Sequence, residues 1–367
     1  MIVHMNDYYP NHNRVEMNVK VPKRNNVTMH QVAERVGMSI QTVSAVINGK
    51  PGISAATTAR MLEAVSELGY RSSAVARSLR TRQTHTIALF VSDIATSPLA
   101  AMVSAIEEAA CQRGYSLQIS HTHNDLERER HYIQQAVDRW VDGVIIVAID
   151  EVLTDFTPLT SAGIPVVAVD RVPAGQAVAS VALDNRRVGV LAAQHLLGLG
   201  HRRLGLIAGP HRLSIARDNQ AGFAEVCSWA GATLVVSDRE GDWHAHSGYQ
   251  AMQRLLEGIV RPSGVFVASD LMAVGAMHAV YDAGLSVPRD ISIMGVDNIE
   301  LAAHVHPPLT TISQPFGEIG AHAVEMLLDR PDEATTVRIE PQLILRASTT
   351  EYKEEHRQNT QPIAAGT

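Results

Sequence analysis

Only two cysteines, Cys111 and Cys227, occur in the 367 residues, far apart and with no CxxC pair. Both fall inside apolar helical patterns and read as buried free thiols of a reducing compartment, which excludes a disulfide-stapled secreted scaffold. No window approaches a membrane span, and the opening MIVHMNDYYPNHNR lacks the apolar core of a signal peptide. A cytoplasmic protein without a membrane partner is expected. Catalytic signatures are missing as well. There is no GxSxG and no phosphate-cradling GxxxxGK, and no GxGxxG follows the first strand. The histidine pairs His121/His123, His244/His246 and His304/His306 have H-x-H spacing without a third ligand nearby in sequence, so they read as surface or loop residues. The expectation is no metal, no cofactor and no enzymatic activity.

What is present begins with charge. The formal net charge of -7 divides unevenly: residues 17–82 hold ten Lys/Arg against three Asp/Glu, residues 83–367 twenty against thirty-three. A basic head on an acidic body confines any nucleic-acid footprint to one small module. Within that head, TMHQVAERVGMSIQTVSAVIN (28–48) has the pattern of two amphipathic helices joined at Gly37. Thr28 and Ser39 stand where a side-chain oxygen caps a helix N-terminus. Met29, Val32, Ala33 and Val36 make one apolar stripe, and Val43, Val46 and Ile47 make the second. Gln41, Ser44, Ala45 and Asn48 are left pointing outward, a short polar face that a DNA major groove accepts. A third helix, roughly 55–68, starts at Ser54 and ends before Gly69, and Leu62, Val65 and Leu68 are expected to complete the core.

The domain plan follows. Residues 1–26 are polar and aperiodic, an extension expected to be disordered, with Met17 an alternative start. Residues 27–71 form the helix-turn-helix unit, and 72–84, rich in arginine, a linker. From Thr86 the pattern alternates between β-branched runs and helices. Strands are expected at 86–91, 116–120, 143–149, 165–170, 204–209, 264–269, 291–297 and 336–345, and helices at 98–113, 126–140, 186–199, 214–230, 246–259, 270–284 and 316–329. Continuous Val/Ile runs separated by helices indicate α/β doubly wound parallel sheets. Eight strands suit two lobes over 85–350, with 85–184 and 316–335 in lobe 1, and 185–312 plus the C-terminal strand in lobe 2. Residues 351–367 are expected to be a disordered tail.

Ligands of such sheets bind beyond the carboxyl ends of the strands. Asp93, Asp150, Asp170, Asp184, Ser269, Asp270 and Asp297 stand there. Acids and hydroxyls converging on one cleft suit a neutral polyhydroxylated ligand. For each residue singly, helix capping competes with ligand contact, most of all at Asp184 and Asp270.

The string TMHQVAERVGMSIQTVSAVINGKPGISAATTARMLEAVSELGY resembles the DNA-binding domain of the lactose repressor (LacI/GalR) family. IAGPHRLSIARDNQAGF, DREGDWHAHSGYQAM, VASDLMAVGAMHAV, DISIMGVDNIE and HPPLTTISQPF resemble successive segments of its core. The resemblance implies a helix-turn-helix headpiece, a hinge helix and a two-lobed core like periplasmic sugar-binding proteins. It further implies a homodimer on a near-palindromic operator and release by a small carbohydrate effector, with a ligand that strengthens DNA binding, as in purine-type relatives, the alternative. Carried over, the DNA contacts fall on Ile40, Gln41 and Ala45, with Thr42, Ser44 and Asn48 towards phosphates, alongside the caps Thr28 and Ser39. Ala45 replaces the usual arginine, whose pairing with guanine is worth about 1–3 kcal/mol of discrimination. Val75, Ala76 and Leu79 match the hinge helix, Leu79 being the residue that wedges into a minor-groove base step. The family's Pro-Asn ahead of that helix is Ser72-Ser73 here. Effector contacts carry over to Asp170, Trp243, Asp297 and Phe316. The family's sugar-gripping arginine is Asn219, with Arg217 two positions earlier, and the Asn before Asp270 is Ser269. The end, EYKEEHRQNTQPIAAGT, has no leucine heptad, so a dimer is expected and not a tetramer.

Overall fold

The computed structural model describes residues 27–47, 50–70, 81, 83–94, 97–172, 175–329 and 334–353. The chain forms two compact units, 1–82 and 83–367.

The first unit is built from α1 (Met29–Val36), α2 (Ile40–Ile47) and α3 (Ala55–Glu67). Thr28 and Gln31 close a reciprocal capping box, with the Gln31 N–H donating to Thr28 Oγ1 at 3.4 Å and the Thr28 N–H to Gln31 Oε1 at 2.8 Å. Gly37 takes the left-handed conformation (φ 67°) that ends α1 and starts the turn. Ser39 Oγ then accepts from the Thr42 N–H at 3.1 Å. Val32, Ala33, Val36, Val43 and Val46 are buried as their spacing predicts. The contribution from α3 is shifted by one residue. Met61 and Ala64 enter the core, whereas Leu62 is 52% exposed and Val65 and Leu68 pack at its margin. Periodicity fixes the angle between apolar positions but not the rotation of a short helix, and here Met61, the longer and more pliant side chain, fills the centre.

The second unit holds two six-stranded sheets. Sheet A contains β1 (Thr86–Val91), β2 (Ser116–His121), β3 (Gly143–Ile146), β4 (Val166–Val169), β5 (Ala179–Leu183) and β11 (Thr336–Ile339). Sheet B contains β6 (Arg203–Ile207), β7 (Thr233–Val236), β8 (Gly264–Val267), β9 (Ser292–Asp297), β10 (Thr310–Ser313) and β12 (Gln342–Ile344). The orders are β11-β5-β4-β3-β1-β2 and β12-β10-β9-β8-β6-β7. Every pairing is parallel except β10 with β12.

Intervening helices α4 (Ser97–Gln112), α5 (Leu126–Arg139), α6 (Thr157–Ser161), α7 (Asn185–Gly198), α8 (Ser214–Trp229), α9 (Ala245–Glu257), α10 (Asp270–Asp282), α11 (Glu300–His304) and α12 (Phe316–Asp329) cover the faces. With both faces covered, β3, β4, β8 and β9 are buried along their whole length. Helix pairs approach backbone to backbone: a Cβ on Gly189 of α7 would lie 2.0 Å from the Asn219 carbonyl oxygen of α8.

Several expectations need correction. The run 336–345 is two strands, divided at Glu340–Pro341 and shared between the sheets, so lobe 1 extends through Ile339. Strands β5, β7 and β10 escape the pattern search; each is only four or five residues long, and β7 offers just Leu234, Val235 and Val236 as its apolar run. Thr84 belongs to the core, not to a linker, since its N–H and Oγ1 donate to Asp142 at 2.7 and 2.9 Å. Tyr352 is likewise fixed, its N–H donating to the Leu199 carbonyl at 2.8 Å and its hydroxyl accepting from Arg203 at 3.1 Å. Cys227 is buried but Cys111 is exposed, because it lies on the outer face of α4.

Beneath the C-terminal segment, buried His201 links the start of sheet B to residue 350. Its Nδ1 meets Ser263 Oγ at 2.9 Å, and its Nε2 lies 3.1 Å from both Ser292 Oγ and the Thr350 carbonyl. Burial lowers its pKa to about 4. The unfolded chain therefore takes up this proton first as pH falls, so stability is full above about pH 6.5 and is lost as pH drops towards 4. The loss should amount to as much as about 3 kcal/mol. Urea titrations from pH 7.5 to 4 should show it, and His201→Gln should flatten that slope.

Candidate functional sites: an exposed recognition helix and an interlobe cleft

In the headpiece, Ile40 (45% exposed) and Gln41 stand free at the start of α2, with Ser44 and Ala45 half-buried one turn on. Thr42 is tied by its hydroxyl to Ser39 at 2.9 Å. Arg60 donates to the Val36 carbonyl at 3.1 Å and Arg35 pairs with Glu67 at 2.9 Å, so these two arginines brace the helices against one another. The outer face of α2 is thus neutral: short polar groups and methyls that can approach base edges, without a guanidinium for guanine. Asn48, Val75, Ala76 and Leu79 lie outside the described residues.

In the core, the carboxyl ends of both sheets face one cleft enclosing about 110 Å³. Asp170, Asn219, Trp243, Ser269, Asp297 and Phe316 all line it. Asp170 follows β4, Asn219 projects from α8, Asp297 ends β9 and Phe316 opens α12. Three of them hold positive φ: Asp170 at 66°, Trp243 at 72° and Asp297 at 109°. L-residues persist there only where surrounding contacts over-determine them, a strain that collects at binding sites. Trp243 lies flat on Gly209, where a Cβ would meet its ring at 2.2 Å.

Burial favours the neutral form of Asp170 and, more strongly, of Asp297. Asp297 feels Asp270 behind it and Asp170 across the cleft, while Gln314 Nε2 donates to its Oδ1. Asp270 is neither a cap nor a lining residue. Its carboxylate takes Thr311 Oγ1 at 2.6 Å and the Ile299 N–H at 3.0 Å, and burial raises its pKa to about 7. Ser269 caps α10 instead, accepting from Met272 N–H at 3.2 Å. Asp184 caps α7, and Asp150 accepts from the Val152 and Leu153 N–H groups of the next turn.

Arg217 does not enter the cleft. It donates to the His211 and Arg212 carbonyls at 2.7 and 2.8 Å and to Glu151 at 3.5 Å. Glu151, on the lobe 1 loop after β3, also accepts from the Ser214 N–H at 2.9 Å and caps α8 across the lobes. That loop is set by buried Glu129, which takes the Ile149 N–H at 3.0 Å and Thr154 Oγ1 at 2.6 Å. Two buried polar atoms in the cleft wall have no partner: Arg171 Nε and Asn219 Oδ1. Arg171 and Gln314 were missed by sequence reasoning, although Asp-Arg at a strand's carboxyl end was a usable signal. His121 and His244, from two separate H-x-H pairs, approach Asp93 at 3.7 and 4.0 Å. Among the described residues no three acid, His or Cys groups are spaced to hold a metal ion.

Three helices presenting a neutral recognition face, joined to a two-lobed parallel-sheet core with a polar cleft, define a ligand-responsive DNA-binding regulator. The chain belongs to the lacI family of bacterial regulatory proteins: residues 28–73 match that family's description and residues 193–349 match a periplasmic binding protein-like domain. It is 36% identical to the HTH-type transcriptional repressor PurR of Edwardsiella ictaluri, over 88% of this chain and 96% of that one. It is 34% identical to the ribose operon repressor of Escherichia coli, over 84% and 94%. Among solved structures, the Lac repressor dimer bound to operator and the anti-inducer ONPF superposes with a TM-score of 0.79 at 30% identity, covering 89% of this chain and 99% of that one. The protein is a DNA-binding transcriptional repressor. No helix among the described residues is long and apolar enough to cross a membrane.

Gly209→Ala should force the Trp243 indole off its seat. In a background where Trp140 and Trp229 (58% and 79% exposed) are replaced by Phe, acrylamide quenching of Trp243 should rise. Unchanged emission and quenching would contradict the packing described.

Proposed function

We propose that this repressor controls a carbohydrate-utilisation operon in the cytoplasm, binding a near-palindromic operator as a homodimer and leaving it when a small sugar fills the interlobe cleft. The observation that carries the reading is the cleft itself: a polar space between the lobes with an aromatic ring at Trp243 and acids at Asp170 and Asp297 to accept hydroxyl protons. Asn219 and Ser269 stand where a galactoside-binding relative carries other residues, which argues against a strict galactoside and keeps a related polyol. Operator contacts fall to Ile40, Gln41 and Ala45 in the major groove, to Thr42, Ser44 and Asn48 at phosphates, and to Leu79 in the minor groove. Sugar binding alters the lobe angle, separates the paired 72–82 segments and weakens their grip, with about 1–3 kcal/mol of coupling between the two ligands.

Similarity to relatives named PurR favours a second reading, in which the ligand strengthens operator binding. The sign of the ligand's effect on operator affinity separates the two.

The test is a thermal-shift screen of the full chain against sugars and purine bases, followed by operator binding with each hit. A ligand selective for the folded form raises Tm. Leu79→Ala should weaken specific operator binding by tenfold or more while leaving sugar affinity within about twofold, since unstacking a base step requires the wedge. Equal losses of both would remove Leu79 from the operator interface.

A further inference from the structure

The cleft wall carries four carboxyl groups, Asp93, Asp170, Asp242 and Asp297, against one guanidinium, Arg171, with neutral amides at Asn124, Asn185, Asn219 and Gln314. Arg171 is partly spent, its Nη1 donating to the Ala148 carbonyl at 3.2 Å. Asp242 serves its own loop by accepting from the His244 N–H at 3.0 Å, and Asp93 lies near His121 and His244. The inward-facing acids are therefore Asp170 of lobe 1 and Asp297 of lobe 2, opposed across the cleft, with Asp270 behind the second. Asn219 Oδ1, in a side chain 2% exposed, adds an acceptor that nothing in the protein satisfies.

We propose that the effector is a single-ring polyol bearing a protonated primary amine, an amino sugar, with its ammonium between Asp170 and Asp297. The proposal rests on the carbohydrate reading and narrows it. An ammonium brings three donors and no acceptor, and a positive charge between two buried acids favours their charged form. A phosphate or carboxylate on the sugar would disfavour that charged form. Hydrogen bonds between ionised partners are about twice as strong as neutral ones. Aromatic rings also favour a cation over a neutral group, and Trp243 and Phe316 both line the cleft.

The full-length protein should be titrated calorimetrically with matched sets that share a ring and differ at one group: glucosamine, glucose and N-acetylglucosamine; galactosamine, galactose and N-acetylgalactosamine; mannosamine, mannose and N-acetylmannosamine. At least one amine should bind about tenfold or more tighter than both of its congeners. Asp297→Asn, which keeps shape and removes charge, should erase that preference, and Asp170→Asn is the second variant if the first does not fold. A neutral sugar bound as tightly as its amine would overturn the amine and leave the carbohydrate reading standing. Silence from every set would overturn it too, and silence with binding of a purine base would overturn both.

Discussion

Parallel strands buried on both faces impose the constraint from which the rest follows. Such a sheet has no wet face, so the polar groups of its strands can surface only at the ends. Running all strands of a lobe in one direction, apart from β12, gathers those ends on one side. Placing two such lobes end to end turns the two gatherings into one cleft. Asp170 and Asp297 occupy positions where the chain leaves apolar strands abruptly, and their left-handed backbones are the cost of turning there.

Contacts across the cleft are unequal. Burial first, then Asp270, with Asp170 a lesser influence from the other lobe, favours the neutral form of Asp297. Glu151 makes a direct bond between the lobes: it supplies from lobe 1 the cap that Leu213, the residue ahead of α8, has no side-chain oxygen to give. The α8 amide is satisfied by protein only while the lobes stay close.

Much of this was legible in the residues. Alternating Val/Ile runs and helical stretches located the seven long helices of the core to within two residues at each end, because continuous burial leaves an unbroken apolar signature. Edge strand β7, four residues long and half-covered, leaves only the short run Leu234-Val235-Val236. The capping oxygens of Thr28, Ser39 and Ser54 marked helix starts because a short polar side chain ahead of an apolar stripe has one economical use. Arg217 shows where such reading stops. Its spacing from Asn219 placed it near the ligand, but a two-residue offset on a helix turns a side chain by about 200°, and Glu151, the partner that claims it, is 66 residues away in sequence. Long-range partners of this kind cannot be inferred from local pattern.

The divided strand at Pro341 has a mechanical meaning. The backbone passes between lobes at 184, at 314–315 and at 340–341, like a door hung on three pins. Three crossings restrain sliding and separation of the lobes more than rotation about the crossings. Gln314 and Phe316, which touch the cleft, flank the middle one. A ligand in the cleft would therefore act beside the crossings, where a small shift would become a larger arc at the far rims of the lobes.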